Sequence, residues 1–235
     1  HPGNLHLNDI TLNDYLETYV HRTWKKEGKD PQMMGATFTP SFGFRLDKDT
    51  SGLIVGAKDY EALQFLNEII RDRKVTKKYL AVVKGKAPQH MIIDKPLFKG
   101  FNATAERAQT FVNEEKGLES KTEFECVTTI NHKDLGEISL LLVTLHTGRM
   151  HQIRVHLASE NLPIIGDIMY GEESMNHLAY KTQKVSRQLL HSYGYGFYDC
   201  FSEKNIYIQT EIPQDISKLF PEVKKITPTI LPKKK

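Results

Sequence analysis

Cysteine is scarce in this sequence. Cys126 and Cys200 are the two among 235 residues, so no disulfide framework holds the fold. No C-x-x-C pair and no cysteine–histidine spacing of the zinc type occurs, which removes thiolate metal sites. Both cysteines read as small packing residues in a reducing compartment. Long apolar runs are missing too: nothing approaches the roughly 18 residues of a membrane-spanning helix. The opening HPGNLHLNDI has none of the marks of a secretory leader. The expected setting is the cytoplasm, with no membrane partner. Charge of one sign is also lacking. Thirty-two Lys and Arg against 29 Asp and Glu leave a net charge of +3, so a polyanion would have to be held by a local basic groove. There is no G-x-x-x-x-G-K-[ST], which removes a P-loop nucleotide hydrolase. DTSG (49–52) lacks the first glycine of a nucleophile elbow, so Ser51 has no support as a hydrolase nucleophile.

What is present is ordinary globular material. Hydrophobic residues make up 39% and charged residues 26%, enough for a packed core and too apolar for wholesale disorder. TLNDYLETYVHRTW (11–24) places Leu12, Tyr15, Leu16, Tyr19 and Val20 on one helical face. Residues 27–43 carry Gly, Pro and short polar side chains and read as a loop. GLIVGAK (52–58) reads as a short buried strand. Asp59 then stands where an N-cap belongs, before a helix with Ala62, Phe65, Leu66, Ile69 and Ile70 on one face. Strands are expected over 75–85, 120–130 and 136–148, the last two joined by a turn at NHKDLG. GRMHQIRVHLASENLP (148–163) is too long for a strand and fits a helix with Met150, Ile153 and Leu157 in line and Thr147 as cap. IIGDIMYGEE reads as a loop, and two strand-like runs follow, RQLLHSYGYGF and KNIYIQTEIP. No repeat is present. Strands arrive in clusters rather than alternating with helices, so the expected class is α+β.

Candidate chemistry concentrates in three places. The ten histidines offer no metal centre, because His146, His151 and His156 are five apart; that spacing turns about 140° on a helix and changes face on a strand. In FRLDKDTSG (44–52), Asp47 and Asp49 would stand roughly 6–7 Å apart on an extended segment, a separation a glycosidase could use. Asp49 runs into Thr50, Ser51 and Gly52 and reads as a turn former. Asp47 lies between Arg45 and Lys48, cations that favour its ionised form. A second cluster, Arg149, His151, Gln152 and Arg154, gathers at a helix start, where phosphate or carboxylate is the natural partner. In KKYLAVV, Tyr79 shares a strand face with Lys77 and Ala81 and is either packing or a platform for a base.

Taken in order, RLDKDTSGL (45–53), KKYLAVVKG (77–85), TGRMHQIRVHL (147–157), PIIGDIMYG (163–171) and LLHS (189–192) resemble the motifs of RluA-type RNA pseudouridine synthases. The resemblance implies the pseudouridine synthase fold, a mixed, largely antiparallel sheet with flanking helices and a central RNA-binding cleft. It implies uridine-to-pseudouridine isomerisation in rRNA or tRNA, by a monomer needing no cofactor and no metal. Asp47, Tyr79 and Arg154 would be the catalytic set, with Arg154 paired to Asp47. Arg45, Lys48, Arg149, His151 and Gln152 would contact RNA, Arg45 entering where the target nucleotide is extruded. Residues 1–221 would form the catalytic domain and 222–235 a Pro/Lys-rich tail that frays. HPGN resembles the end of the family's first motif, and no S4-type RNA-binding domain is expected within this sequence. Phe44 departs from the pattern, since the family has His before RLD. Two rival readings are a non-catalytic RNA-binding module of the same fold and an N-glycoside hydrolase using Asp47 and Asp49.

Overall fold

In the computed structural model, residues 10–30, 32, 38–102 and 107–226 are described; the HPGN start and the tail from 227 lie outside them. The chain divides into two compact units. One comprises His1–Lys48 with Ile54–Lys74, the other Asp49–Leu53 with Val75–Lys235.

The first unit is built on two capped helices. Helix α1 (Leu12–Lys26) starts at Thr11, whose side chain accepts from the Asp14 amide while the Asp14 carboxylate takes the Thr11 N–H, a capping box that satisfies two otherwise orphaned donors. Its buried residues are Val20 and Trp24. Leu12, Tyr15 and Tyr19 of the expected apolar face are exposed, so only the later turns of the stripe are covered. Strands β1 (Ser41–Phe42) and β3 (Gly56–Ala57) pair antiparallel. Asp59 caps α2 (Tyr60–Arg71), accepting from the Ala62 amide at 2.8 Å, and Leu66 and Ile69 are buried. The continuous strand expected over 52–58 is instead broken into β2 (Ser51–Gly52) and β3, which belong to different units. Gly52 at φ +107° leaves the extended region and ends the run.

The second unit is a seven-stranded sheet in the order β11-β10-β4-β9-β8-β5, with β2 beside β10. The strands are β4 (Val75–Lys84), β5 (His90–Asp94), β8 (Lys121–His132), β9 (Gly136–Leu145), β10 (Leu190–Asp199) and β11 (Lys204–Gln209). Every pairing is antiparallel except β2 with β10, so the expected α+β class and mixed, largely antiparallel sheet are borne out. The 120–130 and 136–148 runs form the expected hairpin, with Gly136 at φ +68° in its turn. Strands β6 (Leu97–Asn102) and β7 (Arg107–Val112) make a separate hairpin that was not expected.

The core explains which strands were legible. On β4, Leu80 and Val82 share a face, as period two requires. They join Ile138, Leu140 and Leu142 of β9 in one cluster with Met175 and Ala179, which lie on helix α4 (Glu173–Gln183). Ile216 of α5 (Gln214–Ser217), Leu219 and Phe220 complete it. The chain stays with this core beyond residue 221. Ile226 is 7% exposed and its carbonyl accepts from the Tyr193 hydroxyl at 2.8 Å.

Candidate functional site

Tyr79 and Ala81 occupy the other face of β4, with Tyr79 6% exposed. Lys77 shares that face, and burial lowers the pKa of its ammonium group. Gly148 adjoins it: a Cβ built there would come 3.9 Å from the Lys77 Nζ.

Helix α3 (Gln152–Ser159) follows the 147–151 turn and is buried from Gln152 to Leu157. A helix covered on all sides has no solvated face, so its polar side chains must be satisfied from within. Thr147, the cap expected from sequence, does not cap it; His151 is the N-cap, at φ 56°, with no side-chain capping bond. The Thr147 hydroxyl instead donates to Gln152 Oε1 at 2.8 Å and accepts from the Lys121 amide at 2.9 Å. Gln152 also accepts from the Arg149 amide and donates to Lys121 O and Thr122 Oγ1, each at 3.0 Å. Its amide is thus committed to the scaffold, and at 2% exposure Gln152 is assigned there rather than to RNA. The three histidines spaced by five go to three different partners, as their spacing requires. His146 bonds Glu123, and His151 bonds Tyr170 Oη. His156 Nε2 donates to Lys95 O, so Nδ1 accepts from Thr122. Among the described residues no cluster of metal-ligating side chains is present.

Arg154 is 5% exposed and faces Asp167, 1% exposed, in a two-point ion pair: Nε donates to Oδ2 at 2.7 Å and Nη2 to Oδ1 at 2.8 Å. Such a fork fixes the plane of the guanidinium. Burial alone would raise the Asp167 pKa, but Arg154 and the amides of Met169 and Tyr170 outweigh it and hold the carboxyl below its ordinary value. The Arg154 guanidinium also lies 5.0 Å from the Tyr170 ring centroid, a cation–π distance. Tyr170 Oη in turn accepts from the Thr110 amide of β7 at 2.9 Å and meets His151 Nδ1 at 2.9 Å. Asp167 and Tyr170 both sit in PIIGDIMYG, a stretch that reads as loop in the sequence. Their signal was an acid between apolar neighbours, 13 residues after an arginine in a buried helix. Arg149 is exposed, its Nε donating to Glu119 O at 3.2 Å.

The Asp49–Leu53 segment is seated in the second unit. Asp49 is left-handed, at φ 68°, so the extended geometry that would align it with Asp47 does not occur. The turn is held from outside. Gln188 Nε2 donates to Thr50 Oγ1 at 2.8 Å, Ser51 Oγ meets His191 Nδ1 at 2.8 Å, and the Leu53 amide donates to Ser192 O at 2.9 Å. Gly52 is required here twice over, by its positive φ and because a Cβ would stand 2.2 Å from Ser192 O. Gly52→Ala is expected to cost at least about 1–3 kcal/mol, read as a lowered urea midpoint; an unchanged midpoint would contradict the close approach. In the first unit, Asp47 is half-buried while Arg45 and Lys48 are exposed.

A family model described as RNA pseudouridylate synthase matches residues 17–159, a span that includes Asp47, Tyr79 and Arg154 and ends at the last residue of α3. Ribosomal large subunit pseudouridine synthase C of Buchnera aphidicola is 37% identical over 166 residues, 70% of this chain and 50% of that protein. Ribosomal large subunit pseudouridine synthase D of Zymomonas mobilis is 31% identical over 188 residues, 80% of this chain and 57% of that protein. The chain thus spans about half the length of these curated relatives. Among solved structures, human RNA Pseudouridylate Synthase Domain Containing 1 matches with a TM-score of 0.63 and 25% identity, over 77% of this chain and 72% of that one.

Proposed function

The chain belongs to the RNA pseudouridylate synthase family, and from that premise we propose that it isomerises a specific uridine to pseudouridine in structured RNA, rRNA or tRNA. The observation that carries the reading is the family match through residues 17–159, which runs across all three candidate catalytic positions. The reaction breaks the C1′–N1 bond of uridine and joins the same uracil to C1′ through C5. The C5 proton is lost and N1 gains one, so atoms balance within substrate and water, with no group carrier. Asp47 acts on the ribose, as nucleophile or as base. Arg154, whose plane Asp167 fixes, pairs with Asp47 and keeps it ionised. Tyr79 packs on the uracil, an interaction of about 1–3 kcal/mol, and assists removal of the C5 proton. Arg45 enters the helix where the nucleotide flips out, because the glycosidic bond is out of reach in a stacked strand. Lys48, Arg149 and His151 line the RNA cleft. The enzyme works as a monomer in the reducing cytoplasm, a setting in keeping with Cys126 and Cys200 as free thiols.

The test is to incubate the purified protein with rRNA and tRNA and map pseudouridine by sequencing. New pseudouridine at defined positions supports the reading; release of free uracil would establish the glycoside hydrolase instead. Arg154→Ala is expected to abolish turnover, whereas Arg149→Ala weakens RNA binding and lowers the slope of log affinity against log salt by about 1. Equal losses of turnover in both variants would contradict this division of roles.

A further inference from the structure

Asp47 is the next-to-last residue of the His1–Lys48 stretch, two residues before Asp49–Leu53, and those five residues are held by side chains of the second unit that lie far along the chain. His191 is the centre of that hold. It is 5% exposed, and its two ring nitrogens reach two hydroxyls, Ser51 Oγ at 2.8 Å and Thr210 Oγ1 at 2.7 Å. Thr210 Oγ1 lies 3.5 Å from the Tyr193 carbonyl, which can only accept. A neutral imidazole donates from one ring nitrogen and accepts at the other, so both hydroxyls are served in either tautomer. Ser51, His191 and Thr210 thus form a connected side-chain chain that reaches the β10 backbone. Burial, with Arg187 second, pushes the His191 pKa down to about 4, so the neutral form holds at physiological pH.

Three further contacts act on the same turn. Gln188, 4% exposed, donates to Thr50 Oγ1. Arg187, ion-paired to Asp215 at 2.7 Å, brings Nη1 within 3.4 Å of the Asp49 carbonyl. Strand β2 is in parallel register with β10, Ser51 opposite His191 and Gly52 opposite Ser192. A two-residue strand has too few ladder bonds to hold itself in place, so the side chains supply the fixation.

We propose that His191, through Ser51, is a positioning residue for the reaction, with Gln188 acting in parallel through Thr50: together they set where the Asp47 carboxylate stands by anchoring the turn that follows it. His191 touches no reacting atom. The assignment rests on the proposed role of Asp47, and adds two residues that lie outside the span the family model matches.

The test compares His191→Phe, which fills the space without hydrogen bonds, with His191→Gln, which keeps one donor and one acceptor. Purified full-length chains are assayed for pseudouridine formation, RNA affinity, melting temperature, and amide hydrogen exchange over residues 45–53. His191→Phe is expected to lower kcat ten- to a hundredfold, the scale of a catalytic group misplaced by about 1 Å. RNA affinity and KM should stay within about twofold, and exchange at 50–53 should rise about tenfold, the effect of losing one hydrogen bond. His191→Gln should recover at least part of both losses. A kcat within twofold of wild type, or unchanged exchange at 50–53, overturns the proposal. So does a fall in melting temperature that accounts for the whole loss with no recovery in the Gln variant. If the wild-type chain forms no pseudouridine, the functional reading fails, while the exchange comparison still decides the anchoring.

Discussion

Asp47→Asn is expected to eliminate pseudouridine formation while leaving the fold and RNA binding in place. The substitution is nearly isosteric and removes the charge alone. Asp47 is half-buried, so the change should move stability by well under about 1 kcal/mol, as at ordinary positions away from a packed core. Its effect on turnover should be of another order. Losing a positioned acid–base group costs about 10²–10⁴ in rate, and losing a nucleophile about 10⁶. A residual rate within tenfold of wild type would remove Asp47 from the chemistry and favour the non-catalytic RNA-binding module. The size of the loss also bears on the route. A fall near 10⁶ fits attack on the sugar, and one nearer 10³ fits proton abstraction. Quantitative sequencing of the target uridine after single-turnover incubation measures the rate, and filter binding at fixed salt checks that the RNA is still held.

Much of this was legible where local rules act alone. Asp59 caps α2 because an acceptor followed by a helical stripe is a complete signal in adjacent residues. Strands β4, β8 and β9 were readable because long β-branched and aromatic runs leave few alternatives. The hairpin of β6 and β7 was not, since Lys99, Gly100, Asn102, Arg107 and Gln109 carry no alternation; its buried anchors are Leu97 and Thr110. Helix α4 escaped for a similar reason: of ESMNHLAYKTQ only Met175 and Ala179 are buried, too thin a stripe to stand out. At the site, the residue types were readable but their partners were not. Gln152 looks like a ligand-facing amide in sequence and is a buried four-bond brace in the structure. The turn at 49–52 looked self-sufficient, yet Thr50 and Ser51 are held by Gln188 and His191, 138 and 140 residues away. Pairings over such separations depend on sheet topology, which periodicity does not encode.

The largest stability loss is expected from Asp167→Ala. Arg154 and Asp167 are both nearly inaccessible, and removing one member of a buried, hydrogen-bonded ion pair costs about 3–5 kcal/mol because the remaining charge has lost its compensation. Asp167 also accepts from the amides of Met169 at 2.9 Å and Tyr170 at 3.1 Å, so the same substitution loosens the loop that places Tyr170 against the Arg154 guanidinium. The exposed pair of Lys84 and Glu172 is the internal control: Glu172→Ala should change stability far less than Asp167→Ala does, because water screens an exposed pair. Urea titration of the two variants separates the cases, and a loss below about 1 kcal/mol for Asp167→Ala would refute the buried-pair account. The pair also sets an acid limit. The folded Asp167 pKa lies below the ordinary carboxylate value near 3.8, so its contribution is complete above that value and is lost as pH falls through the lower folded one. In the Ala variant that part of the acid transition should vanish, making stability less steeply dependent on pH below about 4. Turnover should fall with stability and go further, because the guanidinium that would hold Asp47 ionised has lost the carboxylate that fixes its plane.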